Sequence, residues 1–205
     1  MMKLQGTYIL NNKKYSHRSY LQFLNENLES DDLKPYLRSL YQFILDFLDP
    51  DAEIIQFTSG TTGEAKRLVL NREAMIRSAE RTINHFDLKK GNAFLVCLSG
   101  DYIAGKMMVV RALVGGMNLI TVEPRANPLE GLKKPIDFAA MVPLQVFEAL
   151  KQSESLNLIR TLLIGGAEIR PGIRAALRRI KKCRIYESFA MAETYTNFAF
   201  RRVYV

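Results

Sequence analysis

The chain has few of the residues that build covalent or metal scaffolds: two cysteines and two histidines in 205 residues. Cys97 and Cys183 each lie in an apolar segment, with no second ligand at a spacing zinc would use. Neither a disulfide framework nor a zinc centre is therefore expected, and both read as reduced core thiols of a cytosolic protein. His17 and His85 join no catalytic pattern and read as structural or surface residues. Long hydrophobic runs are missing too. The longest, Met107 to Ile120, is interrupted by Arg111, Gly115, Gly116 and Asn118, and is too short to cross a bilayer. Met1 to Gly6 lack the apolar stretch of a secretory signal. There is no internal repeat and no low-complexity segment.

What is there is an ordinary globular balance, 48% hydrophobic and 24% charged, enough for one sizeable core. Positive charge dominates, with a formal net charge of +8. Much of it comes from Arg174, Arg178, Arg179, Lys181, Lys182 and Arg184. Spacing predicts a helix from Pro171 to Lys182 whose buried stripe is Ile173, Ala176, Leu177 and Ile180, so its basic residues form a solvated face. Aromatic residues are not interleaved with them, as a single-strand nucleic-acid surface would require. An anionic nucleotide and an acidic substrate account for the basic balance equally well.

Residues 1–50 differ from the rest. Tyr8–Leu10 and Lys14–Tyr15 flank Asn11–Asn12 as a hairpin, and two amphipathic helices follow, the second carrying Leu37, Leu40, Phe43, Ile44 and Phe47 at helical spacing. This part is expected to be a helical lead-in, and residues 51–205 a separate α/β core. In that core, short apolar strands alternate with helices: strands at 93–98, 117–122, 136–142 and 161–164 and from 184, helices at 102–114 and from Pro143 and Pro171. Such alternation predicts a mainly parallel sheet with helices on both faces. Ligands of such sheets bind at the carboxyl ends of strands. Four segments fall there: Ser99 to Gly105, Val142 to Gln145, Gly165 to Ala167 and Glu187 to Thr194.

One stretch is more specific than the rest. Phe57-Thr58-Ser59-Gly60-Thr61-Thr62-Gly63-Glu64-Ala65-Lys66 holds four hydroxyl side chains, two glycines and a terminal lysine. Glu53–Phe57 before it and Arg67–Leu70 after it read as strands, and Asn71 as the cap of a following helix. Backbone N–H groups in such a loop face an anion readily, and the lysine adds a point charge. The nucleotide P-loop differs, since it ends in Gly-Lys-Ser/Thr and leads straight into a helix. The order strand, loop, strand predicts a hairpin folding over a nucleotide tail.

The stretch closely resembles the phosphate loop of the adenylate-forming enzymes, a superfamily of acyl- and aryl-CoA synthetases, luciferases and adenylation domains. Their pattern is aromatic-Thr-Ser-Gly-Thr-Thr-Gly-x-Pro-Lys, and the chain departs from it at Ala65. The resemblance implies phosphate contacts from Thr58, Ser59, Gly60, Thr61, Thr62, Gly63 and Lys66, with Lys66 catalytic. Ser188-Phe189-Ala190-Met191-Ala192-Glu193-Thr194 resembles the family's Ser-Tyr-Gly-Met-Thr-Glu-Thr. Carried over, Phe189 stacks near adenine and Glu193, also catalytic, holds Mg²⁺, which favours one or two carboxylates plus phosphate oxygens. Ala192 stands where the family has a phosphate-touching threonine, which counts against full competence. Leu163-Ile164-Gly165-Gly166-Ala167 resembles the segment lining the adenine and acyl pockets.

Leu98 to Gly105 stands where many relatives have Pro-Leu-x-His-x-x-Gly, with Tyr102 in the histidine place. Tyr102, Gly105, Lys106, Gln145 and Ser188 are thereby candidate acid contacts, Lys106 reading equally as an exposed helix lysine. The wording from Asp101 to Ala112, with Ala140 to Gln145, is most similar to the o-succinylbenzoate–CoA ligases of menaquinone biosynthesis. The implied co-substrates are ATP with magnesium, a carboxylic acid and CoA, without nucleic acid or membrane insertion and with room for a homodimer. Family members continue past residue 205 with a ribose-binding aspartate and a mobile domain, so these 205 residues are expected to be incomplete for catalysis. A nucleotide-binding module without turnover, or another aryl- or acyl-CoA ligase, is the alternative expectation.

Overall fold

The computed structural model describes residues 6–59, 65–191 and 196–203. The chain opens with β1 (Thr7–Leu10) and β2 (Lys13–Ser16), joined by Asn11 and Asn12 at φ 48° and 69°. Two successive left-handed residues make the turn whose twist suits a hairpin, and asparagine tolerates that region. β1 also pairs in parallel with β6 (Asn118–Thr121). The Asn11 side chain stitches this junction, its Nδ2 donating to Thr121 Oγ1 at 3.0 Å and its Oδ1 accepting from Thr121 N at 2.9 Å. The N-terminal hairpin thus extends the main sheet rather than only packing on it. Next come α1 (His17–Leu28), capped by the Ser16 hydroxyl, and α2 (Pro35–Leu48), which buries Leu40, Tyr41, Phe43, Ile44 and Phe47.

β3 (Ile54–Ser59) and β4 (Ala65–Leu70) form a separate antiparallel sheet, with Thr58 opposite Lys66 and Ser59 opposite Ala65. α3 (Arg72–His85) follows, its N-terminus capped by Asn71 Oδ1 on Ala74 N at 2.9 Å. Then come β5 (Ala93–Val96), α4 (Ile103–Gly115), β6, β7 (Ile136–Met141), α5 (Pro143–Leu150), a short 3₁₀ turn, β8 (Ile159–Ile164), α6 (Pro171–Leu177), β9 (Arg184–Met191) and β10 (Thr196–Arg202). Gly116, at φ 64°, closes α4 in the left-handed conformation a helix end favours.

The main sheet runs β10-β9-β8-β7-β5-β6-β1-β2, parallel except at its two ends. Alternate residues on each strand enter two different cores. Phe94, Val96, Phe138, Ala140 and Leu163 join the core built with α1 to α4. Leu95, Cys97, Ala139, Met141, Leu162 and Ile164 join the core built with α5 and α6. A sheet covered on both faces needs apolar residues at every strand position, which explains the unbroken apolar runs. The strand order reverses between β5 and β7, so the helices following them lie on opposite faces and leave a crevice at the carboxyl ends.

The expected helix to Lys182 stops at Leu177. Leu177 and Ile180 are buried as anticipated, but through a turn, with Arg178, Arg179, Lys181 and Lys182 exposed. Continuing the helix would stack like charges at i,i+3 and i,i+4, which disfavours it.

Arg72 ties the end of α2 to the exit of the β3–β4 hairpin. Its guanidinium lies 3.1 Å from Phe47 O, 3.0 Å from Pro50 O and 2.6–3.0 Å from the carbonyls of Asp46, Asp49 and Ala52. The last carbonyls of a helix lack internal donors, and a cation there also meets the negative end of its dipole. Arg72→Met is expected to lower unfolding free energy by about 2–4 kcal/mol, since hydrogen bonds from a charged donor are the stronger kind. Urea titration measures this. A loss under about 0.5 kcal/mol, the range of an ordinary surface change, would refute the anchoring role.

Candidate functional site

The hairpin rises at the carboxyl edge of the main sheet. Gln56, on β3, donates from Nε2 to Asp101 O at 2.9 Å, and Asp101 lies in the turn that follows β5. The same edge carries Val142 after β7, Gly165 and Gly166 after β8, and the end of β9 from Ser188. Four segments distant in sequence therefore converge on one side of the molecule. Lys66 is exposed on β4. Thr58 and Ser59 end β3, whereas Gly60, Thr61, Thr62, Gly63 and Glu193 lie outside the described residues. Among the described residues no cluster of His, Cys, Asp and Glu could hold a metal ion.

Tyr102 stands at the N-terminus of α4 with 67% of its surface exposed. Gly105 permits a close approach: a Cβ there would sit 2.1 Å from Ser99 O. Its place is packing between α4 and the turn after β5. Gly165 likewise leaves room for Ser188, whose Oγ would lie 2.3 Å from a Cβ at 165. Ser188 donates to Ile164 O at 3.3 Å. Gly166, at φ 87°, takes a conformation that disfavours other residues. Phe189 is exposed on β9, with the Arg201 guanidinium 5.6 Å from its ring centre.

Two expected acid contacts are held inside the fold. Gln145 is buried; its Nε2 donates to Cys97 O at 2.9 Å and Arg125 O at 3.3 Å, and its Oε1 accepts from Val142 N at 3.2 Å. Lys106 is buried too, not an exposed helix lysine. Its Nζ donates to Ile55 O and Gln56 Oε1, each at 2.9 Å. Spacing places both on the right segments but does not say which way a polar side chain turns.

A cavity of about 770 Å³ opens between α5 and α6 beside Gly166 and Ala167, with Leu144, Phe147, Ile173 and Ala176 among its walls. Its lining is predominantly apolar, as small-molecule pockets commonly are. Burial pushes the Cys97 and Cys183 thiols up to about 12, so neither is a nucleophile at neutral pH.

Sequence reasoning missed three charged or polar side chains. Gln56 interrupts an apolar strand, Arg111 an apolar helix, and Glu187 sits within β9; each is buried. Burial draws the Arg111 guanidinium down to about 10. A polar residue at a position where pattern demands an apolar one was the available signal. Glu187 accepts from Arg174 at 2.9 Å and from Arg201 Nε at 3.1 Å, joining β9 to α6 and β10. Burial raises its carboxyl, but hydrogen bonds from Arg201 and Arg174 outweigh that and hold it below the usual carboxylate value.

The sequence model for the AMP-binding enzyme family matches residues 20–204. The 2-succinylbenzoate–CoA ligase of Bacillus cytotoxicus is 24% identical over 153 residues, which cover 70% of this chain and 31% of that ligase. An acyl-CoA synthetase (AMP-forming)/AMP-acid ligase II-like protein from Dyadobacter fermentans superposes with TM-score 0.78 at 31% identity, covering 89% of this chain and 52% of its own. An O-succinylbenzoate coenzyme A synthetase from Bacillus subtilis, solved with ATP and magnesium ion, shares the fold with TM-score 0.64 at 20% identity, covering 73% of this chain and 32% of its own. The chain spans about a third of the curated ligase and about half of the Dyadobacter protein.

The lowered carboxyl of Glu187 makes stability depend on pH in one direction. Its contribution is present above the unfolded carboxylate value, about 4.3, and is lost as pH falls through the folded one. Glu187→Gln is expected to cost about 1–3 kcal/mol near neutrality, since it takes the negative charge from the hydrogen bonds with Arg174 and Arg201. Arg201 is the more exposed partner, so solvent screens its share. The gap between wild type and variant should close as the medium is acidified. Denaturation curves at several pH values test this, and a gap that stays constant through the acid range would refute it.

Proposed function

We propose that this chain, which belongs to the AMP-binding enzyme family, takes part in ATP-dependent activation of an aryl carboxylic acid. One observation carries the reading. The hydroxyl- and glycine-rich hairpin ending at Lys66 meets the carboxyl edge of the sheet through Gln56 and Asp101, on the side where Gly165 and Gly166 follow β8. A nucleotide laid along that edge has its phosphates under the hairpin and its base against Gly165–Ala167 and Phe189.

In the full reaction an acid carboxylate attacks the α-phosphorus of ATP, giving an acyl-adenylate and pyrophosphate. The thiol of CoA then displaces AMP. The loop amides and Lys66 would stabilise the charge that grows on the phosphates. Magnesium, supplied with ATP, would neutralise more of it, with Glu193 its carried-over ligand. The acid we assign is o-succinylbenzoate, placing the chain in menaquinone synthesis. Sequence similarity to the succinylbenzoate ligases supports this choice. The second carboxylate of that acid needs a donor or a cation. Tyr102, exposed at the N-terminus of α4, offers a donor for it.

Two measurements test the reading. The magnesium complex of ATP should bind at least about tenfold more tightly than adenosine, as one charge-assisted contact to phosphate implies, and Lys66→Ala should erase most of the difference. Calorimetry giving equal affinities, unchanged by the substitution, would remove the phosphate role. Among acids, o-succinylbenzoate should bind better than benzoate or a fatty acid, and Tyr102→Phe should reduce that preference. A preference for the fatty acid would move the chain to another branch of the family.

A further inference from the structure

Two polar side chains are buried between the hairpin and α4, where apolar residues would fill the same space. Lys106 is 7% exposed and Gln56 3%. The Lys106 ammonium donates to Ile55 O and Gln56 Oε1. Gln56 turns its amide nitrogen to Phe57 O at 2.7 Å and to Asp101 O at 2.9 Å, one residue before Tyr102. The ammonium also lies 5.8 Å from the ring centre of Phe43, on α2. One cation and one amide therefore hold β3, the start of α4 and α2 together.

Burying an ammonium costs free energy, and replacing such a group by an apolar one of equal volume is often neutral or stabilising. Global stability is thus a poor reason for Lys106. The hairpin supplies a better one. Among the described residues β3 and β4 pair only with each other, and a two-stranded sheet is marginal by itself. Its orientation depends on contacts along its inner face. Those of Lys106 and Gln56 reach the middle of β3, four residues before Gly60 in the sequence.

We propose that Lys106 is a positioning residue which, with Gln56, fixes the direction of the β3–β4 hairpin relative to α4 and so sets where Lys66 meets the nucleotide phosphates. The first half rests on geometry alone; the second rests on the phosphate-binding role proposed for the hairpin. Lys106 then contributes nothing directly to the acid.

The test compares wild type with Lys106→Met, which keeps chain length without charge, and Gln56→Asn, which shortens the amide and leaves the lysine charged. Hydrogen exchange of amides in β3 and β4 should quicken about tenfold in both variants, the scale of one or two lost hydrogen bonds, while β5, β7 and β8 amides change less than about twofold. Unchanged hairpin exchange, or a uniform rise across the main sheet, would overturn the positioning role. In the same proteins ATP affinity should fall about fivefold or more, with adenosine and o-succinylbenzoate held within about twofold, because only the phosphate-facing element is displaced. Loss of acid affinity with ATP binding intact would make Lys106 an acid contact and overturn the proposal. If wild type itself failed to prefer ATP over adenosine, the phosphate role of the hairpin would fall, and hydrogen exchange would still decide whether Lys106 orients it.

Discussion

A two-stranded sheet cannot hold its own orientation, and much of this structure is arranged around one. β3 and β4 satisfy each other's backbone groups but bury little between them; Phe57 and Val69 remain exposed. Ile54 and Leu70 anchor the base in the core shared with α1 to α4. Arg72 then binds the hairpin exit to the end of α2, and Lys106 with Gln56 binds its middle to α4. Lys106 and Gln56 are buried and Arg72 half-buried, and a hydrogen bond has direction where apolar contact has none.

The main sheet supplies the fixed frame. Reversal of strand order between β5 and β7 sends consecutive connections to opposite faces, which opens the carboxyl edge where the four motif-bearing segments meet. Close approaches at that edge are made possible by glycine: Gly105 against the Ser99 carbonyl and Gly165 against Ser188. Residues that resemble ligand contacts in a motif thus also serve the packing that brings the segments together.

Much of this was legible in the sequence, for identifiable reasons. Apolar runs with flanking turns mark strands buried on both faces, and β5, β7 and β8 appear where expected. Asn11–Asn12 and the Asn71 cap are local chemistry and were read locally. Membership of β1 in the main sheet was not legible, because its pairing with β6 spans more than a hundred residues and has no local signature. The end of α6 was misplaced because apolar spacing continued through Ile180 after the helix had stopped. At the site, motifs located the segments but not the direction of long side chains. Lys106 and Gln145 turn inward to satisfy carbonyls that no pattern announces.

The alternation of strand residues between two cores makes the sheet a partition. Phe138 and Ala139 are neighbours in the chain, yet one packs with the helices behind the hairpin and the other with α5 and α6. A volume change on either side meets close-packed neighbours on that side and a hydrogen-bonded wall behind them. The groove between α5 and α6 can therefore vary its lining, residue by residue, without disturbing the elements that aim the hairpin. Such separation lets a lineage alter what one face accommodates while the machinery on the other face stays in adjustment.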